Sequence, residues 1–319
     1  MSAYPETAAE RDAWIFARRP QRNAVDPLMP WAFFVEEERS AAGEVVPVAT
    51  VFLTNRECPW RCVMCDLWRN TLAEETPAGA IPTQIEYALE RLPAARQIKL
   101  YNSGSFFDRK AIPVEDHAAI ASRVAGFDRV IVECHPALVG ADCLAFRDRL
   151  NGRLEVAMGL ETVHPEILSK LNKRMTVDQF AAAAKRLKEN DVDLRVFILV
   201  KPPFMAEGEA LEWAARSLDF AFDCGATAAT LIPTRGGNGA MEELAASGEF
   251  APPRLATVEA AAAYGISLGR GRVLVDLWDL RRSVECESCR ERRVERLHAM
   301  NLRQAILPVV DCESCGGKS

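Results

Sequence analysis

With 319 residues, 49% hydrophobic and 26% charged, the chain can bury a large core and has the balance of an ordinary globular protein. A formal net charge of −6 argues against binding nucleic acid by bulk attraction, though it says nothing about a local basic patch. No apolar run is long enough to span a membrane, and the acidic start lacks the apolar stretch of a signal peptide, so a cytoplasmic protein is expected. Thiols stay reduced in that compartment, and ten cysteines then point to metal or redox chemistry and away from disulfides.

Residues 1–46 are rich in Arg, Glu and Pro and read as an N-terminal extension with a helix near Ala8 to Arg18. From there a repeating order begins. A β-rich run at 47–54 leads into a cysteine loop, and a helix is expected from Thr83, with Pro82 as its start signal. Strands are expected at 97–101, 129–134, 153–161, 193–200 and 226–233. Helical stretches separate them, one opened by Thr176 and Gln179 at capping-box spacing and one closed by Gly225. Six strands alternating with helices imply an α/β fold with a parallel sheet, a partial (β/α)6 TIM-like barrel over 47–280. In such barrels the chemistry sits at the C-terminal ends of the strands. Residues 281–319 form a small C-terminal metal-binding segment carrying two further cysteine pairs.

Directly after the first of these strands, Cys58, Cys62 and Cys65 stand in C-x3-C-x2-C spacing. Three thiolates from one short loop suit three irons of a 4Fe–4S cubane and leave the fourth iron without a protein ligand. A small zinc knuckle is the competing reading, but zinc wants four ligands and no fourth partner stands near in the sequence. In the tail, Cys286, Cys289, Cys312 and Cys315 form C-x2-C-x22-C-x2-C. That pattern suits a closed zinc staple, to which the ligand set leans, and fits an auxiliary 4Fe–4S cluster as well. The run RERRVER at 290–296 reads as a solvated helix face, with phosphate contact as the rival. Asp276, Trp278 and Asp279 fit either one side of an active site or a final strand with a core tryptophan.

The cysteine motif, its place after a strand and the six βα units resemble the radical S-adenosylmethionine (SAM) superfamily. Membership would imply that the open iron binds SAM and that an electron, from a donor such as flavodoxin or ferredoxin, cleaves it to a 5′-deoxyadenosyl radical. Ser103, Gly104 and Ser105 then occupy the place of the family's Gly-Gly-Glu element, which contacts the methionine amino group. Glu133 and Glu161, at the ends of two strands, are placed to accept hydrogen bonds from ribose hydroxyls. Arg174, in LNKRMT, is the expected partner of the SAM carboxylate, with Lys173 left to solvent, and Lys201 is expected to contact SAM or substrate. Met64 stands where the family commonly has an aromatic residue.

YNSGSFFD, GLET, LNKRMT and VKPPF together resemble one subgroup, the archaeosine synthase radical SAM subunit and its relatives, akin to the elongator catalytic subunit. That resemblance spans about residues 47 to 235 and implies a transfer-RNA substrate carrying a lysine adduct of a deazaguanine base. A small metabolite or peptide as substrate is the alternative within the same chemistry. A non-catalytic, cysteine-rich adaptor is the alternative outside it. The catalytic side chains beyond the cofactor site have no signature in the sequence.

Overall fold

Alternation between β-branched runs and amphipathic helices produces the architecture. The computed structural model describes residues 4–280 and 286–315, so 281–285 and 316–319 of the expected tail segment lie outside the described residues. In chain order the elements are α1 (Ala8–Arg18), β1 (Ala32–Arg39), β2 (Val45–Phe52), α2 (Ala80–Leu89) and β3 (Gln97–Tyr101). There follow α3 (His117–Arg123), β4 (Arg129–Glu133), α4 (Ala141–Arg147), β5 (Arg153–Glu161), α5 (Pro165–Lys170), α6 (Val177–Glu189) and β6 (Asp193–Val200). The chain closes with α7 (Glu207–Asp223), β7 (Ala228–Pro233), α8 (Ala240–Ala246), α9 (Leu255–Ser267), β8 (Arg272–Val275) and α10 (Arg290–Arg303).

The strands form one eight-stranded sheet in chain order, a curled half-barrel. β2 through β8 pair in parallel, and β1 lies antiparallel on β2. The six expected strands are β2 to β7, and β8 adds a seventh parallel one. β1, read from the sequence as part of the extension, belongs to the sheet. α2 begins at Ala80, with Gly79 as its N-cap, so Pro82 sits inside the first turn, where a missing N–H costs nothing. Trp278 is more than half exposed, beyond the end of β8, and is no core residue.

One face of the sheet is apolar. Ile98, Leu100, Val130, Val132, Val156, Val196 and Leu231 pack with Ile85, Phe146, Phe180, Leu187 and Leu218 of the surrounding helices. The alternate positions near the N-terminal ends of the strands are charged instead, and they are buried. Glu155 of β5 accepts from Arg195 of β6 (2.6 Å), Arg272 of β8 (2.9 Å) and Arg129 of β4 (3.0 Å). Glu38 of β1 takes Arg195 (2.5 Å) and Lys99 of β3 (2.6 Å). This network explains why β1 does not read as a strand: its acids point to interior cations, where an apolar alternation would be looked for.

Burial would raise the Glu155 carboxyl, but the Arg195, Arg272 and Arg129 guanidinia outweigh it and bring it from 4.5 down to about 2. Its contribution to stability is therefore complete above the ordinary carboxylate range and drains away as pH falls from about 4.5 towards 2. Replacing the anion takes one counter-ion from each of three buried cations, leaving Arg195 with Glu38 and Arg129 with Asp193. Glu155→Gln is expected to cost about 3–5 kcal/mol of unfolding free energy and to flatten the loss of stability below pH ~4.5, read by urea melts across pH.

Candidate SAM and cluster site

The cysteine loop follows β2, at the end of the sheet opposite the charged network, and several elements hold it. Glu57 takes guanidinia from Arg19 (2.6 Å), Arg22 (2.5 Å) and Arg61 (3.1 Å). Val63 donates its N–H to the Leu171 carbonyl (3.0 Å), and the Asn238 amide donates to the Val63 and Cys65 carbonyls (2.7 and 3.0 Å). Beneath the loop, Val63 packs with Trp14 and Ile15 of α1, Leu171, Leu199 and Met241, so the N-terminal helix forms part of the floor.

Cys58, Cys62 and Cys65 are half-buried, and desolvation pushes each thiol up to about 12. Three such thiols suit a cation that would compensate their ionised form. The Ser103–Ser105 turn lies against them, since a Cβ on Gly104 would stand 3.2 Å from the Cys58 Cβ. Next to that turn, Asn102 is fully buried and neither polar atom of its amide has a partner. A buried amide without partners is costly unless a ligand completes it. Donor set, glycine contact and open amide together fit a cluster with a bound amino acid moiety.

Two strand ends and the loop between α5 and α6 supply the remaining groups. The Glu133 carboxylate accepts the Asn102 N–H (3.0 Å), and burial raises its pKa to about 7. Glu161, closing β5 beyond a break in register, accepts from Lys173 Nζ at 2.7 Å, both side chains buried. Desolvation would lower the Lys173 ammonium, yet Glu161 and the sulfurs of Cys62 and Cys58 hold it above the ordinary lysine value. Gly159 makes room for this pair, because a Cβ there would overlap the Glu161 carboxylate and the Lys173 ammonium.

The neighbouring Arg174 points elsewhere. Its side chain is partly exposed and pairs with Asp12 of α1. The expectation that Arg174 faces the site and Lys173 faces solvent is thus reversed in placement. Asn172 and Arg174 both have positive φ (57° and 56°), so the chain turns sharply on either side of Lys173. Ser105 spends its hydroxyl within the fold, accepting the His135 N–H at 2.8 Å. Lys201 donates to the Ala251 carbonyl (2.7 Å) and lies 3.4 Å from Glu207, so it fastens the loop after β6.

Sequence reasoning missed a clasp between the cysteine loop and the Lys173 loop. His135 stacks on Trp60 with ring centroids 3.7 Å apart, and its Nε2 lies 3.1 Å from the Lys173 carbonyl. Burial lowers the imidazole to about 3, so the ring is neutral, with Nδ1 accepting the Ala137 N–H. Ser103, Glu161 and Lys201 also share positive φ (53°, 66° and 54°), and backbone strain of this kind collects where a site dictates side-chain direction. Gly159→Ala is expected to separate Glu161 from Lys173. It should lower the melting temperature and, in the reconstituted protein, weaken SAM binding by roughly tenfold or more, measured by equilibrium dialysis; an unchanged affinity would detach the pair from the cofactor.

Residues 52–214 match the radical SAM superfamily. Among curated proteins, archaeosine synthase subunit beta of Methanosarcina acetivorans is 28% identical over 286 residues, covering 83% of this chain and 82% of that protein. An uncharacterized protein of Methanocaldococcus jannaschii is 25% identical over 251 residues, covering 74% of this chain and 69% of its own. Among solved structures, the Elp3 of Methanocaldococcus infernus, with an N-terminal deletion, superposes with a TM-score of 0.51 at 15% identity. That match covers 70% of this chain and 59% of the Elp3 chain, and at such identity it carries the fold alone. A half-barrel with three cysteines beyond its first parallel strand, matched over half its length, makes this chain a member of the radical SAM superfamily.

Proposed function

We propose that Cys58, Cys62 and Cys65 hold a 4Fe–4S cluster and that the chain cleaves SAM reductively to act on a base or nucleoside of transfer RNA. The observation that carries the first part is the meeting of the three thiols with Gly104, the buried, unpartnered Asn102 amide and the Glu161–Lys173 pair at one end of the sheet. The second part rests on the likeness to archaeosine synthase subunit beta across most of both chains.

When bound, cluster and SAM together supply a 5′-deoxyadenosyl radical. The protein's share is placement. The backbone of Ser103–Ser105 faces the amino acid end of SAM, with Asn102 as a further polar contact. Lys173 takes the SAM carboxylate, in the role the sequence assigned to Arg174, while Glu161 keeps its ammonium charged and aimed. Glu133 lies within the same arc of strand ends, as a ribose or amino-group acceptor. Lys201 positions the loop after β6. Such chemistry needs a reducing compartment, in keeping with a cytoplasmic location and a flavodoxin- or ferredoxin-type donor.

Anaerobic reconstitution followed by dithionite and SAM is expected to yield 5′-deoxyadenosine, with Cys62→Ala reducing it to background. Lys173→Met should weaken SAM binding by roughly 10–100-fold, and Arg174→Met by no more than about twofold. Equal losses from the two variants would overturn the assignment of Lys173. For the substrate, transfer RNA bearing the lysine-modified deazaguanine is incubated with the reconstituted protein and its nucleosides are weighed by mass spectrometry. SAM cleavage with no change in nucleoside mass would remove transfer RNA and leave the radical chemistry standing.

A further inference from the structure

β8 is the last strand of the sheet, and a bare edge strand presents a row of unpaired N–H and C=O groups. Here α10 lies along that edge and supplies side-chain amides where another strand would pair. Asn301 Oδ1 accepts the Val275 N–H at 2.8 Å, and its Nδ2 donates to the Val275 carbonyl at 2.9 Å. Gln304 does the same for Val273, at 2.7 and 2.9 Å. Towards the opposite edge, Arg39 of β1 donates to the Leu302 carbonyl (3.4 Å), and Arg272 of β8 donates to the Arg39 carbonyl (3.2 Å). One helix therefore bridges the two edges of the open half-barrel. Its inner side adds Val294, Leu297 and Met300 to the main core. Arg293 and Arg296 pair with Glu259 of α9, so half of the basic run is tied into the fold and is not a solvated face.

What pins the upstream end of α10 is the tail cysteine group. Asn301 meets Val275 and Gln304 meets Val273, so the helix runs antiparallel to β8. Its N-cap, Cys289, lies about 18 Å upstream of Asn301, beyond the C-terminal end of that strand. After α10 the chain doubles back, with Arg296 donating to the Leu307 and Pro308 carbonyls (2.8 Å each), and delivers Cys312 and Cys315 to Cys286 and Cys289. The four Sγ atoms all lie within 4.8 Å of one another, with Cys286–Cys312 and Cys289–Cys315 at 3.8 Å.

That spacing discriminates between the two metal centres the sequence leaves open. Four thiolates on one ion with metal–sulfur bonds of about 2.3 Å define a tetrahedron with edges of about 3.8 Å. Thiolates on a cubane each bind a separate iron and stand farther apart. We propose that Cys286, Cys289, Cys312 and Cys315 bind a single zinc ion in a closed four-thiolate site whose work is to pin α10 across the seam between β8 and β1. Zinc suits this because it has no redox change that would loosen the staple while electrons pass to the other cluster.

The test uses the full chain, reconstituted anaerobically with iron and sulfide, desalted and analysed for metals. About one zinc and about four irons per chain are expected, and Cys289→Ser with Cys312→Ser should lose the zinc and keep the iron. About eight irons with matching sulfide, or an extra single iron in place of zinc, overturns the assignment. Hydrogen exchange at Val273 and Val275 then tests the seam. It is expected to rise about tenfold or more in the cysteine variant, or in the intact chain stripped by a zinc chelator should that variant fail to fold. Asn301→Ala with Gln304→Ala should raise the same exchange while zinc stays bound. Zinc removal that leaves β8 exchange unchanged overturns the sealing role.

Discussion

The fold depends on how an incompletely closed sheet fills its inner face, and the answer is the Glu155 carboxylate with the guanidinia of Arg129, Arg195 and Arg272. A closed barrel would fill that space with layers of branched aliphatic side chains. Here ions from β1, β3, β4, β5, β6 and β8 join in one connected network, so each of these strands is fixed in register by a partner on another. Buried ion pairs are a weak source of net stability, because desolvation cancels much of their attraction. What they do here is penalise misalignment. Slipping any one of these six strands pulls a charge away from its counter-ion.

Register at that end determines geometry at the other. Glu155 and Glu161 lie on the same strand, and the irregular pairing between Gly159 and Glu161 converts a regular ladder into a carboxylate held at positive φ. Lys173 reaches it from the following loop, and only a glycine at 159 leaves room for the contact. The same loop carries the carbonyl that engages His135, which stacks on Trp60 of the cysteine loop. The cysteine loop and the Glu161–Lys173 pair are therefore parts of one mechanical unit, and a change at Gly159 is transmitted to both.

Much of this was legible in the sequence where the chemistry repeats. The six βα units could be read because their apolar face keeps a regular pattern, and the three-cysteine loop could be placed because its motif directly follows the first of their strands. β1 was not legible, since the acids of a strand that pairs with interior cations look like a solvated surface. The choice between Lys173 and Arg174 was not legible either. Lys173 sits between two residues in left-handed conformation, and although an asparagine favours that region, nothing about an arginine at 174 announces it. Partners distant in sequence, such as Asp12 for Arg174 or Glu259 for Arg296, become visible only in three dimensions.

The two cysteine groups show how chain spacing divides labour within one molecule. On the proposed reading, three thiols in a single loop leave the fourth iron of a cubane without a protein ligand, and that iron is the position for an incoming one. Two CxxC pairs separated by a helix can close a tetrahedron, and closing it commits the metal to structure. The helix between those pairs is the one whose amides finish the edge of β8, so the four-cysteine group is tied to the same sheet that carries the three-cysteine loop. With α10 laid along β8, the half-barrel stays unclosed without leaving the N–H and C=O groups of Val273 and Val275 unpaired at that edge.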